Sequence, residues 1–132
     1  MTRQPFTHIR THTGATPCHG NVHDHHITIK FKPSEAEIES TPHMAASGFV
    51  VIGEVVTARV QAFIVHFVSG PIRDTDINSG FPHITISTAD GVKPVESIQA
   101  IKDAIRDGTV ITRGEWSNTQ FFGTVSDGAK VW

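Results

Sequence analysis

"PHITIST", residues 82–88, repeats four letters already used in "HHITIKF", residues 25–31. Both stretches alternate polar and apolar residues, the period of a β-strand with one buried face. His26 and Thr28 then share one face while Ile27, Ile29 and Phe31 share the other, and His83 and Thr85 stand in the same relation to Ile84 and Ile86. The apolar face goes to a core, so each histidine and its threonine are expected together on the opposite, more open surface. Lys30 and Ser87 lie two residues further along the same faces, where they add a positive charge and a hydroxyl at the rim; His25 points the other way. A single His-x-Thr is a weak signal. Recurrence of all four letters, each copy in strand context and each followed by a helical pattern, suggests an internal duplication.

Outward from the two copies, the chain reads as an alternation of strands and short helices. "PSEAEIES" follows the first copy, with Ser34 and Glu37 spaced as a capping box for a short helix. "GFVVIGEVVTARVQAFIVHFVSGP" supplies two β-rich runs, about residues 49 to 57 and 59 to 68, too close together for a long loop and so expected to pair. "GPIRDTDINSGFP" has turn density and delivers the chain to the second copy. "KPVESIQAIKDAIRDG" is the clearest helix, with Pro94 near its start, Ile98, Ile101 and Ile105 as its stripe, and Gly108 at its end. The tail reads as two strands around a "WSN" turn.

Bulk properties narrow the classes. A length of 132 residues suits one domain able to bury a real core. No apolar run is long enough to cross a bilayer, the opening "MTRQPFTHIRTHTG" lacks the apolar centre of a secretory signal, and the lone Cys18 has no internal disulfide partner. The expectation is a soluble, cytoplasmic protein with no membrane role. A net charge of −2 excludes the basic field of a protein that grips long nucleic acid, and leaves a small anionic ligand or one end of a chain as the partner.

Histidine is the unusual component: nine in all, six within the first 26 residues. "HIRTHTG" has the look of half a zinc finger, but no cysteine pair precedes His8. In "HGNVHDHH", His23 and His25 would share a face and suit a transition metal; the simpler reading is a flexible His-rich N-terminal arm over residues 1–25, ahead of a single domain over 26–132. His43 reads as a loop residue and His66 as a core or interface histidine. Asp74 and Asp76 either orient a histidine, bind a cation or serve the turn, and turn chemistry accounts for them most simply. Arg73, in the same loop, is placed to touch a terminal phosphate. Trp116 and Phe121 read as core in preference to base-stacking residues.

With these motifs in view the chain resembles the two-histidine (2H) phosphoesterases, whose mark is a pair of His-x-Thr/Ser motifs on strands of two pseudo-symmetric lobes. "STADGVKPVESIQAI" and "VQAFIVHF" look like segments of the RNA-repair branch, related to the cyclic phosphodiesterase domains of tRNA ligases, and the likeness spans about residues 24 to 107. It implies an α+β, compact bilobal fold of mostly antiparallel strands with two helices and a central cleft. It also implies a metal-independent phosphodiesterase, without cofactor, whose substrate is a nucleotide or RNA end carrying a 2′,3′-cyclic phosphate opened to a 2′-phosphate. By that resemblance His26 and His83 are acid and base in either order and Thr28 and Thr85 bind the phosphoryl oxygens; Lys30, Ser87 and Arg73 are expected to contact substrate from their places on the strands and loop alone. Imidazole titrates close enough to neutrality to take either proton-transfer role. The competing readings are a nuclease for cyclic oligonucleotide signals, a nucleotide-binding module without turnover, and a small His-rich metal-binding protein.

Overall fold

The structure is a computed structural model and describes residues 3–11, 13–23, 26–31, 46–70, 72–74, 77, 81–114, 116–117 and 119–131. Seven strands run in chain order as β1 (Arg3–Arg10), β2 (Asn21–Val22), β3 (His26–Phe31), β4 (Ala46–Val56), β5 (Val60–Ser69), β6 (His83–Thr88) and β7 (Gln120–Val131), with one helix, α1 (Glu96–Asp107), among the described residues. The strands form a single sheet ordered β2-β6-β5-β4-β7-β1-β3, and every pairing is antiparallel. The chain is thus α+β, mostly antiparallel, as the strand-rich patterning leads one to expect.

The order has an internal symmetry. The β4–β7 pair lies at the centre; outward from β4 come β5 and then β6, and outward from β7 come β1 and then β3. Each half therefore carries a "HITI" strand two places out, with β2 added beyond β6. β3 also comes into contact with β6 across the molecule, so the sheet curls. Such curling encloses one face. Ile9, Ile27, Phe49, Val51, Phe63, Val65, Phe67, Ile84 and Ile86 fill that interior together with Ile72, Ile77 and Trp116.

A second, smaller core lies on the outer face of β4 to β6. There Val55, Ala62 and Ile64 meet Ile101 and Ala104 of α1, with Phe81, Ala100 and Val110 at the margin. The segment that follows the helix can lie close to β4 because Gly53 leaves room: a Cβ there would stand 2.5 Å from Val110 Cγ1. Beside it Glu54 and Ile111 exchange backbone hydrogen bonds of 2.8 Å each. The helix ends at Gly108, whose φ of 71° lets its N–H turn back to the carbonyls of Ala104 and Ile105.

Several expectations are revised. Where it is described, the segment read as an N-terminal arm belongs to the sheet: β1 is an interior strand between β7 and β3, and β2 extends the β6 edge. A strand pattern broken by polar His8 and Arg10 hid β1, although Ile9 is fully buried. The buried stripe of α1 is Ser97, Ile101 and Ala104, while Ile105 is 57% exposed; the helix lies one position round from where its isoleucines suggest. Two helices are not found among the described residues, because the "PSEAEIES" segment lies outside them. Among the described residues the tail is one long strand, β7; before it the Ser117 N–H turns back to the Gly114 carbonyl and the Thr119 N–H to the Trp116 carbonyl, and Ile111 contributes only an isolated bridge. The β4–β5 pairing matches the sequence reading. No helix among the described residues is long and apolar enough to cross a membrane.

Candidate active site on the two repeated strands

Both "HITI" copies are strands, and both send isoleucines into the one interior: Ile27 from β3, Ile84 and Ile86 from β6. His26 and His83, one residue away in each strand, therefore stand on the outer face. Each copy also carries the same irregularity. Thr28 pairs with His8 and Lys30 with Thr7, so Ile29 is an extra residue against β1; Thr85 pairs with Ala62 and Ser87 with Gln61, so Ile86 is an extra residue against β5. The fourth letter of both motifs is a β-bulge. Bulges re-aim the side chains that follow them and gather next to functional sites.

On β6 the bulge separates two residues expected to share a face. Thr85 lies over Ala62, on the helix side, where its hydroxyl is 2.9 Å from Ser97 Oγ and donates to the Pro94 carbonyl at 3.3 Å. Ser87 lies over Gln61, on the side of Phe63, and donates to Gln61 Oε1 at 2.6 Å. Ser87 is fully buried, and is no rim hydroxyl. The strict alternation assumed from sequence fails at Ile86.

His83 is half-buried, pairing across to Ile64 and packing its ring 5.6 Å from that of Phe81. Its Nδ1 lies 3.4 Å from the Phe81 carbonyl, which can only accept, so the ring proton belongs on Nδ1 and the lone pair on Nε2. Burial pushes the His83 pKa below its ordinary 6.5, against a smaller opposing effect of that carbonyl. At neutral pH it is an uncharged base.

His26 is half-buried at the start of β3, with its backbone opposite Arg10. Its relation to His83 follows from β2. Asn21 pairs with Thr88 and Val22 with Ser87, and the His23 N–H donates to the Ile86 carbonyl at 2.8 Å. Three residues on from His23 is His26; three residues back from Ile86 is His83. β3, which His26 opens, lies in contact with β6, which His83 opens. The side chains of Thr28 and Lys30 lie outside the described residues.

Two further groups sit away from this pair. Arg73 is exposed, and Asp74 beside it binds His66 Nδ1 at 2.6 Å while its other oxygen accepts the Phe67 N–H at 2.8 Å. His66 is thus an exposed, oriented histidine and not a core one. The N-terminal histidines are structural where described: the His19 ring donates to the Thr57 carbonyl at 2.9 Å, and His23 Nε2 shares a 2.9 Å hydrogen bond with Thr88 Oγ1. His25, His43 and Asp76 lie outside the described residues, and no cluster of three or more metal-ligating side chains occurs among those described. Trp116 is buried against Phe63, and Phe121 stacks on Phe49 at 5.7 Å. Sequence reasoning missed Ser97, fully buried and in contact with Thr85; a serine inside the first turn of an amphipathic helix was the available signal. No protein-family model, curated protein or solved structure matches the chain.

Proposed function

We propose that this chain is a phosphodiesterase in which His26 and His83 act as one acid–base pair on a cyclic phosphate, as its resemblance to the 2H phosphoesterases implies. The observation that carries the reading is the shared bulge: two copies of one motif, on two strands that come into contact, depart from regular pairing at the same letter. Sequence repetition alone arises by chance. A repeated backbone distortion next to each histidine is harder to explain without a common task.

His83 suits the role of base. Its neutral form, with the lone pair on Nε2, would take a proton from water as the water oxygen attacks phosphorus. His26, protonated, would then give its proton to the 3′ oxygen as the P–O3′ bond breaks, leaving a 2′-phosphate. Thr85 would turn its proton from the long bond to Pro94 toward a nonbridging oxygen, held in place by Ser97. Thr28 would serve the other side. No step calls for a metal.

The deciding experiment incubates the protein, with chelator present, with a panel of 2′,3′-cyclic mononucleotides, cyclic-phosphate-ended oligonucleotides and cyclic dinucleotides, and assigns the phosphate in each product. Conversion of cyclic ends to 2′-phosphates is expected, with His26→Ala and His83→Ala each slower by roughly 10²–10⁴-fold and the double variant little worse than the poorer single. Near-normal turnover by His83→Ala would remove the second motif from the chemistry. Turnover of cyclic dinucleotides alone would favour the signal-nuclease reading.

A further inference from the structure

His66, which the acid–base chemistry of the repeated motifs does not use, belongs to a different constellation on the outer face of β5. Ser69 is three positions further along, and residues three apart in a regular strand point to opposite faces. Here they share one. Phe49 pairs with Phe67 and Gly48 with Ser69, so Val68 is an extra residue of β5. Beyond that bulge Ser69 returns to the face on which His66 pairs with Val50. The two then stand in adjacent rows, at the roughly 7 Å spacing of same-face neighbours along a strand.

His66 and Ser69 are exposed and line one open cavity of about 480 Å³, with Asp74 in its wall. Asp74 is fixed from two sides: one oxygen accepts the Phe67 N–H at 2.8 Å and the other stands 2.6 Å from His66 Nδ1. A carboxylate can only accept, so in the neutral ring Nδ1 carries the proton and Nε2 the lone pair. That is the tautomer of a general base. Gly48 makes room for the hydroxyl, since Ser69 Oγ lies 2.3 Å from the point that a Cβ at 48 would occupy. Gln120 Nε2, at 2.5 Å, and Phe122 Cε1, at 3.2 Å, converge on the same point. An amide donor and the edge of a 63% exposed aromatic ring therefore stand beside the hydroxyl.

We propose that Ser69, His66 and Asp74 form a nucleophile–base–carboxylate triad that cleaves small carboxylic esters, at a site separate from the repeated motifs. Rotation of Ser69 χ1 to another staggered well turns Oγ along β5 toward His66 Nε2. Oγ then attacks the ester carbonyl carbon as its proton passes to Nε2, and the Gln120 amide donates to the oxyanion that forms. The tetrahedral centre collapses by breaking the bond to the alkoxy oxygen, which takes the proton from Nε2 and leaves as the alcohol. Water, deprotonated by the same nitrogen, releases the carboxylic acid and restores Ser69. Phe122 gives the acyl chain an apolar contact. Ser69, His66 and Gln120 touch the reacting atoms; Asp74 is a positioning residue, acting only through the His66 ring. His26 and His83 take no part, so the triad stands or falls independently of the phosphodiesterase reading.

The full chain is treated with a fluorophosphonate, which transfers its phosphonyl group to an activated serine with loss of fluoride, and the adduct is located by mass spectrometry. Labelling of Ser69 is expected, slower by roughly 10²–10⁴-fold in His66→Ala. Hydrolysis of p-nitrophenyl butyrate should be lost in Ser69→Ala, and its kcat should fall roughly 10²–10³-fold in Gln120→Ala. In Asp74→Asn the ring nitrogen NMR shifts of His66 should report the proton moved from Nδ1 to Nε2, with labelling slowed in step. An adduct elsewhere but not on Ser69, labelling as fast in His66→Ala as in wild type, or ester hydrolysis unchanged by Ser69→Ala overturns the triad. Labelling of Asp74→Asn at the wild-type rate removes the carboxylate from it. The position of the adduct on the wild-type chain decides the matter without any variant.

Discussion

Replacing Gln61 with leucine should cost this protein about 2–4 kcal/mol, a large loss for a single polar side chain. Gln61 is 1% exposed and uses its whole amide. Its oxygen accepts the Cys18 N–H at 2.8 Å and the Ser87 hydroxyl at 2.6 Å; its nitrogen donates to the Thr16 carbonyl at 3.1 Å and to Glu54 Oε2 at 3.0 Å. Leucine fills similar space, so little cavity is made and the loss is one of hydrogen bonding. Thr16 and Cys18 are exposed residues whose backbone groups can turn to water. Ser87 is fully buried and keeps only the His19 N–H, at 3.2 Å, while the half-buried Glu54 loses its donor. One or two groups left unpaired, at about 1–3 kcal/mol each, give the figure. Urea denaturation measures it, and hydrogen exchange at the Cys18 and His19 amides should quicken as the N-terminal segment loosens. Gln99→Leu is the control, because that exposed amide bonds only Asp103 on its own helix and should change stability by less than about 0.5 kcal/mol. Equal losses in the two variants would refute the account of Gln61 as the tie between the N-terminal segment and the sheet.

The helix and the buried histidine give two more tests. Ile101→Ala should destabilise by about 2–5 kcal/mol and Ile105→Ala by no more than about 0.5, since one is fully buried and the other is mostly exposed; similar midpoint shifts in urea would mean that α1 packs on a different stripe. For His83, burial lowers the folded pKa below 6.5, so above that pH the ring is neutral in both states and its contribution is fully present. As pH falls below 6.5 the unfolded chain takes up the proton first, and stability is lost until the folded pKa is passed. Wild type should therefore lose more stability than His83→Gln between pH 7.5 and 5.5, and parallel curves would show that His83 is not held neutral. The acid limb of the activity profile should likewise lie below 6.5.

What could be read from the sequence follows the strength of local periodicity. β4, β5 and both "HITI" strands were legible because branched and aromatic residues alternate or run unbroken there, and the end of α1 was legible because Gly108 supplies a left-handed cap. β1 was not, since a strand between two others need show no pattern of its own when His8 and Arg10 interrupt it. The helix stripe was misread because isoleucine at 105 outweighs serine and alanine in any hydrophobic count. The face turned to the sheet instead carries small Ser97, against Thr85, and Ala104, in the cluster with Val55 and Ala62. In the candidate site, parity arguments held on β6 through His83, Ile84 and Thr85 and broke at Ile86, where a bulge is invisible to any two-residue period.

That break gives β6 two tasks in six residues. Before Ile86 the strand presents His83 and Thr85 to the helix side, where burial keeps the imidazole neutral and Ser97 fixes the hydroxyl. After Ile86 it turns Ser87 to Gln61, and Thr88 bonds His23, so the same strand holds the N-terminal segment. A regular strand would have put Ser87 beside Thr85 on the helix side and left Gln61 without that bond. The segment held there leads directly into β3 and His26, so the bulge that orients one histidine's strand also anchors the chain that carries the other. On this view the second "HITI" helps to set the position of the first, and the duplication and the N-terminal histidines are parts of one arrangement.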